Sequence, residues 1–183
     1  MATQFNRKTF LSEAEKKPAV SYWAKEDALC PVCRKKFRQE LMHQGGGRTI
    51  AGNLTDELHR NYEPSKKYGR VYPLIYEIGC CPHCHTALFW KDFKDIKDPE
   101  TFDRIMQDEQ HRIKEVEAIF PHYDLNDERT LYDGTAMYYL ALLCYEKADI
   151  AYAPTFKRAE ISLRLAWLCN EIERVCPDHN YGY

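Results

Sequence analysis

This 183-residue chain has no long hydrophobic run. The longest apolar stretch, Ala136 to Tyr145, lies between Asp133 and Glu146, far short of the ~20 residues a membrane span needs. The first residues, Met1 to Phe10, are polar and hold no apolar signal core. The expectation is a soluble cytoplasmic chain in a reducing compartment, without membrane contact. Glycine is scarce, eight residues in all, and its one run, Gly45-Gly46-Gly47, is not followed by Gly-Lys-Ser/Thr. A phosphate-cradling loop of that kind is excluded. Neither HExxH nor GxSxG occurs. Carboxylates are plentiful, but nothing in their spacing pairs two of them as acid and base. An enzyme is therefore not expected. A large charge of one sign is also missing: 26 Lys and Arg stand against 28 Asp and Glu, for a net charge of −2.

Cysteine is what the chain does have. There are eight, and four of them form Cys30-Pro31-Val32-Cys33 and Cys81-Pro82-His83-Cys84. In a CPxC knuckle, two residues between the thiols make a tight turn that aims both sulfurs at one point. Two knuckles supply the four sulfurs of a closed tetrahedral site for structural zinc. Such a site leaves no position for a reactive water, so it argues against metal catalysis. The gap from Arg34 to Cys80 exceeds the usual zinc-ribbon spacing. Iron in a rubredoxin-type site is the lesser alternative, with a redox role attached to it. Redox or disulfide chemistry of the thiols themselves is another. Cys80 could pair with Cys84 as CxxxC, although strand alternation turns it away from Cys81. His83 or His85 could replace one sulfur.

The expected fold class is α+β: a small zinc-ribbon-like β module with paired CPxC knuckles, then a tetratricopeptide-like (TPR-like) helical hairpin or bundle. Residues 1–27, with Phe5, Phe10, Val20, Tyr22 and Trp23, read as an extension packing on or flanking the metal module. Residues 28–95 read as that module, and 96–183 as the helical region. Lys36-Phe37-Arg38 suggests a short strand, and Val71 to Ile78 another that delivers Cys81. Thr86 to Trp90 continues past the second knuckle. Thr55, with Asp56 and Glu57 behind it, predicts a short helix to about Asn61.

Asp98-Pro99-Glu100 is a helix start, an N-cap followed by proline and an acid. Spacing predicts a first helix from Pro99 to about Phe120. A second is expected from about Arg129 to Lys147, apolar nearly all round and hence buried. A third should run from Pro154 or Thr155 to about Val175. Its apolar stripe is Phe156, Ala159, Leu163, Ala166 and Trp167, widened by Ile161, Leu165, Leu168 and Ile172. Its exposed side is expected to carry Lys157, Arg158, Arg164, Glu171 and Arg174. Leu140-Ala141 against Ala159, Leu163 and Ala166 follows the TPR habit of small residues where paired helices approach.

The stretches CPVCRKKF (30–37), YEPSKKYG (62–69), YPLIYEIGCCPHC (72–84) and KRAEISLRLAWLCNEIE (157–173) resemble an uncharacterised bacterial family called domain of unknown function 2225. The resemblance covers most of the chain from about residue 28. It implies a bacterial cytosolic protein with a metal-binding head, Cys30, Cys33, Cys81 and Cys84 as ligands, and TPR-like helices. It implies no catalytic residue. Arg34 and His85 follow the knuckles where glycine is common, so the backbone there must reach positive φ without it or not adopt it.

Two functions from different classes fit these features. One is a zinc-stabilised adaptor whose helices bind protein, self-association included, through Tyr138, Tyr145, Leu165, Leu168 and Ile172. The other is a nucleic-acid-binding zinc ribbon. There Arg34, Lys35, Lys36, Arg38, Lys66 and Lys67 would track phosphates while Phe37 and Tyr68 stack on bases. Residues 1–50 hold ten Lys and Arg against five acids, and residues 101–183 hold nine against fifteen. Four thiolates on one zinc ion leave two negative charges, which the basic run 34–38 would offset.

Overall fold

The computed structural model describes residues 18–177. Phe5 and Phe10 lie outside them. The fold is α+β, with four antiparallel two-stranded ribbons. β1 (Ser21–Trp23) pairs with β4 (Glu40–Met42), and β2 (Ala28–Leu29) with β3 (Lys36–Phe37). β5 (Ile50–Leu54) pairs with β6 (Arg60–Glu63), and β7 (Ile78–Cys80) with β8 (Ala87–Phe89). Helices α1 (Trp90–Asp95), α2 (Pro99–Gln107), α3 (Glu109–Ile119), α4 (Leu131–Glu146) and α5 (Pro154–Val175) follow.

An isolated two-stranded ribbon is marginal in water, so each must be held from outside. The β7–β8 ribbon lies under α4 and α1, with Ile78, Ala87 and Leu88 fully buried. The β1–β4 ribbon is tied by Glu40, buried on β4, which accepts from the Arg129 backbone amide at 3.0 Å. The Arg129 guanidinium stands 3.5 Å from the same carboxylate and donates to the Ile75 and Ile78 carbonyls. The β5–β6 ribbon leans on α5, where His59 stacks on Trp167 with ring centroids 4.6 Å apart. The β2–β3 ribbon touches the core through Phe37 and carries the first knuckle.

α4 is the central element. The Thr130 side chain accepts from the Asp133 amide and the Asp133 side chain from Thr130, a full capping box. Twelve of its residues are buried because it is covered by β7–β8 on one side and α5 on another. One contiguous core runs from Cys30 and Phe37 through Leu88 to Leu140 and Ile172. The division expected at residues 95 and 96 therefore crosses continuous packing.

Gly134 on α4 permits the closest approach. A Cβ built there would overlap the Ile75 Cβ and fall 2.6 Å from its Cγ2. Ile75 is β-branched and sits in a 3₁₀ turn (Pro73–Tyr76), so it cannot rotate aside. Gly134→Ala is expected to destabilise the protein by about 2 kcal/mol through overpacking. Its helix-propensity gain of ~1 kcal/mol acts in the other direction. Urea unfolding would check it; a stabilised variant would show that the approach is not tight.

Three elements differ from expectation. Thr55 caps a hairpin turn rather than a helix: it accepts from the His59 amide at 3.1 Å, while β5 and β6 pair around it. Strand pairing there overrides a short helical signal. Of the strand expected over Val71 to Ile78, only Ile78 is in β7, and Pro73–Tyr76 form a 3₁₀ turn, because Pro73 lacks a strand donor and the turn presses Ile75 onto α4. The single helix expected from Pro99 to Phe120 is two, α2 and α3, meeting at Asp108. The Asp108 carboxylate is engaged by Arg112 at 3.5 Å and Lys147 at 3.3 Å, which fixes the break.

α5 has the expected length and the opposite orientation. Ile161, Leu168 and Ile172 face the core, and Leu165 is half-buried against it. Phe156, Ala159, Leu163 and Ala166 face outward. Three charges assigned to solvent point back to the body. Lys157 pairs with Asp92 at 2.6 Å, Arg164 with Glu77, and the buried Glu171 with Arg70 at 3.4 Å. Satisfying those partners outweighs turning charged residues to water.

Candidate metal centre

The two knuckles are the tips of two like ribbons. In the first, the Arg34 amide donates to the Cys30 carbonyl and the Cys30 amide to the Lys35 carbonyl, both at 3.0 Å. In the second, the His85 amide donates to the Cys81 carbonyl and the Cys81 amide to the Thr86 carbonyl, both at 2.9 Å. Arg34 and His85 occupy matching places, with φ of 60° and 53°. The turn requires the left-handed region there, and the chain adopts it without glycine, at about 1–3 kcal/mol each.

The ribbons set Cys30, Cys33, Cys81 and Cys84 so that all four sulfurs lie within 4.8 Å of one another. Cys30 Sγ is 3.6 Å from Cys84 Sγ, and Cys33 Sγ is 3.7 Å from Cys81 Sγ. Four sulfurs around a metal at about 2.3 Å stand about 3.8 Å apart along the tetrahedron's edges. A disulfide needs about 2.05 Å, and no disulfide forms among the described residues. The geometry is that of a four-sulfur metal site.

Its electrostatics agree. Hydrogen bonds from Cys30 and Cys81, and further ones from the Thr86 amide and hydroxyl, hold Cys84 far below the usual thiol range. Hydrogen bonds with Cys30 and Cys84, then burial, push Cys81 far above it. Without a cation, the shared hydrogen bonds favour a negative charge on Cys84 and oppose one on Cys30 and Cys81. A divalent cation at the centre removes that conflict.

Cys80 is buried on β7 but outside the cluster, and burial pushes its thiol well up. His83 is also outside: its Nε2 lies 3.1 Å from the Lys36 carbonyl, linking the two ribbons. His85 packs edge-on to Tyr123 instead of joining the sulfurs.

Arg112 on α3 was not legible as a site residue. Its side chain is fully buried. It donates to the Cys84 carbonyl at 3.0 Å, the His85 carbonyl at 3.3 Å and the Ile105 carbonyl at 2.7 Å. Its guanidinium thus clamps the second knuckle from behind. The Asp108 carboxylate faces it at 3.5 Å, an ion-pair distance without hydrogen-bond geometry.

Of the residues expected to meet a partner, Tyr138, Tyr145, Leu168 and Ile172 pack in the chain's own core, and Leu165 is half-buried against it. Tyr138 donates to the Leu74 carbonyl at 3.0 Å, and Tyr145 donates to Asp92. Both tyrosines, with Leu168 and Ile172, are buried, because α5 covers them or carries them inward. The stacking residues of the nucleic-acid reading, Phe37 and Tyr68, are buried as well. Several of its cations rest on rings of this chain. Arg38 lies 4.2 Å over Trp23, Arg34 5.8 Å over Phe102, and Lys67 5.0 Å over Tyr68. All six cations, Arg34, Lys35, Lys36, Arg38, Lys66 and Lys67, are exposed.

Two cysteine-knuckle ribbons braced by helices place four cysteines where they could hold one metal ion, in a fold of the α+β class. The chain belongs to the bacterial family DUF2225, described as uncharacterized protein conserved in bacteria, whose model matches residues 23–180. A relative described as an uncharacterized protein of Borreliella burgdorferi is 39% identical over 165 residues, 90% of this chain. This chain spans 58% of that relative's length. No solved structure matches. Among the described residues, no helix is long and apolar enough to cross a membrane.

Proposed function

We propose that the protein is a zinc-stabilised, non-catalytic adaptor that works in the cytoplasm and binds other protein through its helical half. The four-sulfur site carries this reading. Sulfur-only ligation in a closed tetrahedron is the habit of structural zinc, and the sulfur separations of 3.6 and 3.7 Å fit it. Zinc is preferred to iron because the site serves to join two ribbons, which needs no redox change. The α4–α5 hairpin is the part we liken to a TPR repeat, with Ala159, Leu163 and Ala166 facing away from α4 rather than into the helix crossing. Its outward small-large-small pattern is the kind of surface such repeats pack against.

Elemental analysis of protein purified under reducing conditions is expected to find one zinc per chain. No metal, or stoichiometric iron, would overturn the metal half. Binding to duplex DNA or to RNA is expected to be weak. Tight binding that falls steeply with salt would replace the adaptor with a nucleic-acid-binding role.

A further inference from the structure

The outer face of α5 is built the wrong way round for a helix that ends at water. Phe156, Ala159, Leu163, Ala166 and Asn170 all face outward. Their spacing of three and four residues is the seam of a coiled coil. No residue on that seam is charged, over about 21 Å of helix. Phe156 is 70% exposed and Leu163 46%. Meanwhile Lys157, Arg164 and Glu171 of the same helix are turned to the body. An exposed helix face is ordinarily where such charges sit.

We propose that this seam is the contact between two copies of the chain, their α5 helices antiparallel about a two-fold axis. This rests on the reading of the helical half as a protein-binding surface, and names the partner and the face. Three observations favour a second copy over a different protein. An isologous contact must be self-complementary, and this seam alternates large with small. In one antiparallel register Phe156 meets Ala166 of the second copy, and Ala159 meets its Leu163. Each layer then sets a bulky side chain on an alanine. The same register carries Arg174 of one copy to the loop after α4 of the other. The carboxylate of Asp149 lies there, so Arg174, which pairs with Glu171 of its own helix at 2.7 Å, meets a further acid at each end of the seam. Ile150, 87% exposed, sits at that end and gains cover. Antiparallel helix dipoles add to the attraction.

Sedimentation equilibrium of the zinc-loaded full chain tests this. A dimer is expected at about 100 µM. Leu163→Glu and Ala159→Lys are each expected to be monomeric at that concentration, with unchanged far-UV circular dichroism and zinc content, because both positions face outward. An equimolar mixture of the two variants should dimerise again, since the introduced carboxylate of one copy then meets the introduced ammonium of the other. A monomeric parent protein overturns the proposal. So does a Leu163→Glu variant that still dimerises. Two monomeric variants that do not rescue each other overturn the antiparallel register. A zinc-loaded monomer that captures another protein in pull-down would refute self-association and leave the adaptor reading standing. Protein without zinc would refute that reading's metal half instead.

Discussion

Cys81→Ser is expected to unfold the protein cooperatively at 25 °C, helices included. Structural zinc contributes about 10–16 kcal/mol in small zinc-finger peptides. The whole stability of a domain this size is about 5–15 kcal/mol. On the division at residue 95, the loss would have stayed within the metal module. The structure argues otherwise. Ile78, Ala87 and Leu88, on the ribbon that carries Cys81, are fully buried in the core they share with α4. Losing the ribbon exposes the face of α4 that it covers. Amide exchange should show α4 and α5 losing protection together with residues 28–89. Native protection of α4 in the variant would mean that the helical half stands alone.

Arg112→Met comes second in size. The substitution keeps much of the volume and removes every donor. The carbonyls of Cys84, His85 and Ile105 then lose partners in a place water does not reach, and Asp108 loses a facing charge. Breaking a buried ion pair from one side costs about 3–5 kcal/mol. Zinc affinity should also fall by about 10–100-fold, the usual effect of losing a residue that orients ligands. Arg112→Lys keeps a charge but not the planar fork that reaches three carbonyls, so it should recover only part of either loss. Urea unfolding of the zinc-loaded protein measures the first effect, and competition with a chelator the second. A variant within about 1 kcal/mol of the parent would show that the clamp is incidental.

The ligands could be read from the sequence because their chemistry is local. Two residues between thiols fix a turn, and Pro31 and Pro82 repeat it. The start of α2 was legible for the same reason: the Asp98 side chain accepts from the Glu100 and Thr101 amides. The extents of α4 and α5 followed from spacing. What could not be read depends on contacts far along the chain. Arg112 and Arg129 look like surface arginines until the carbonyls of Cys84, His85, Ile75 and Ile78, 27 to 54 positions away, come into place. The face of α5 was ambiguous because apolar residues occur on both of its sides. The choice was made by Asp92, Glu77 and Arg70, which lie outside the helix and draw its charges inward.

The two halves of the candidate metal site differ in what holds them, and this difference bears on how the site would assemble. The β7–β8 knuckle is fixed by α4 and by Arg112, so Cys81 and Cys84 can be presented together once that packing forms. The β2–β3 knuckle touches the core mainly through Phe37 and must be brought in across the chain. Cys33 and Cys81 are 48 positions apart, and Cys30 and Cys84 are 54. Closing so long a loop is slow relative to local steps. A metal ion captured first by the later knuckle would wait, half-coordinated, for the earlier one. During synthesis the first pair of sulfurs leaves the ribosome well before the second. Until residue 84 and the helix behind it emerge, Cys30 and Cys33 lack the other two sulfurs of the site.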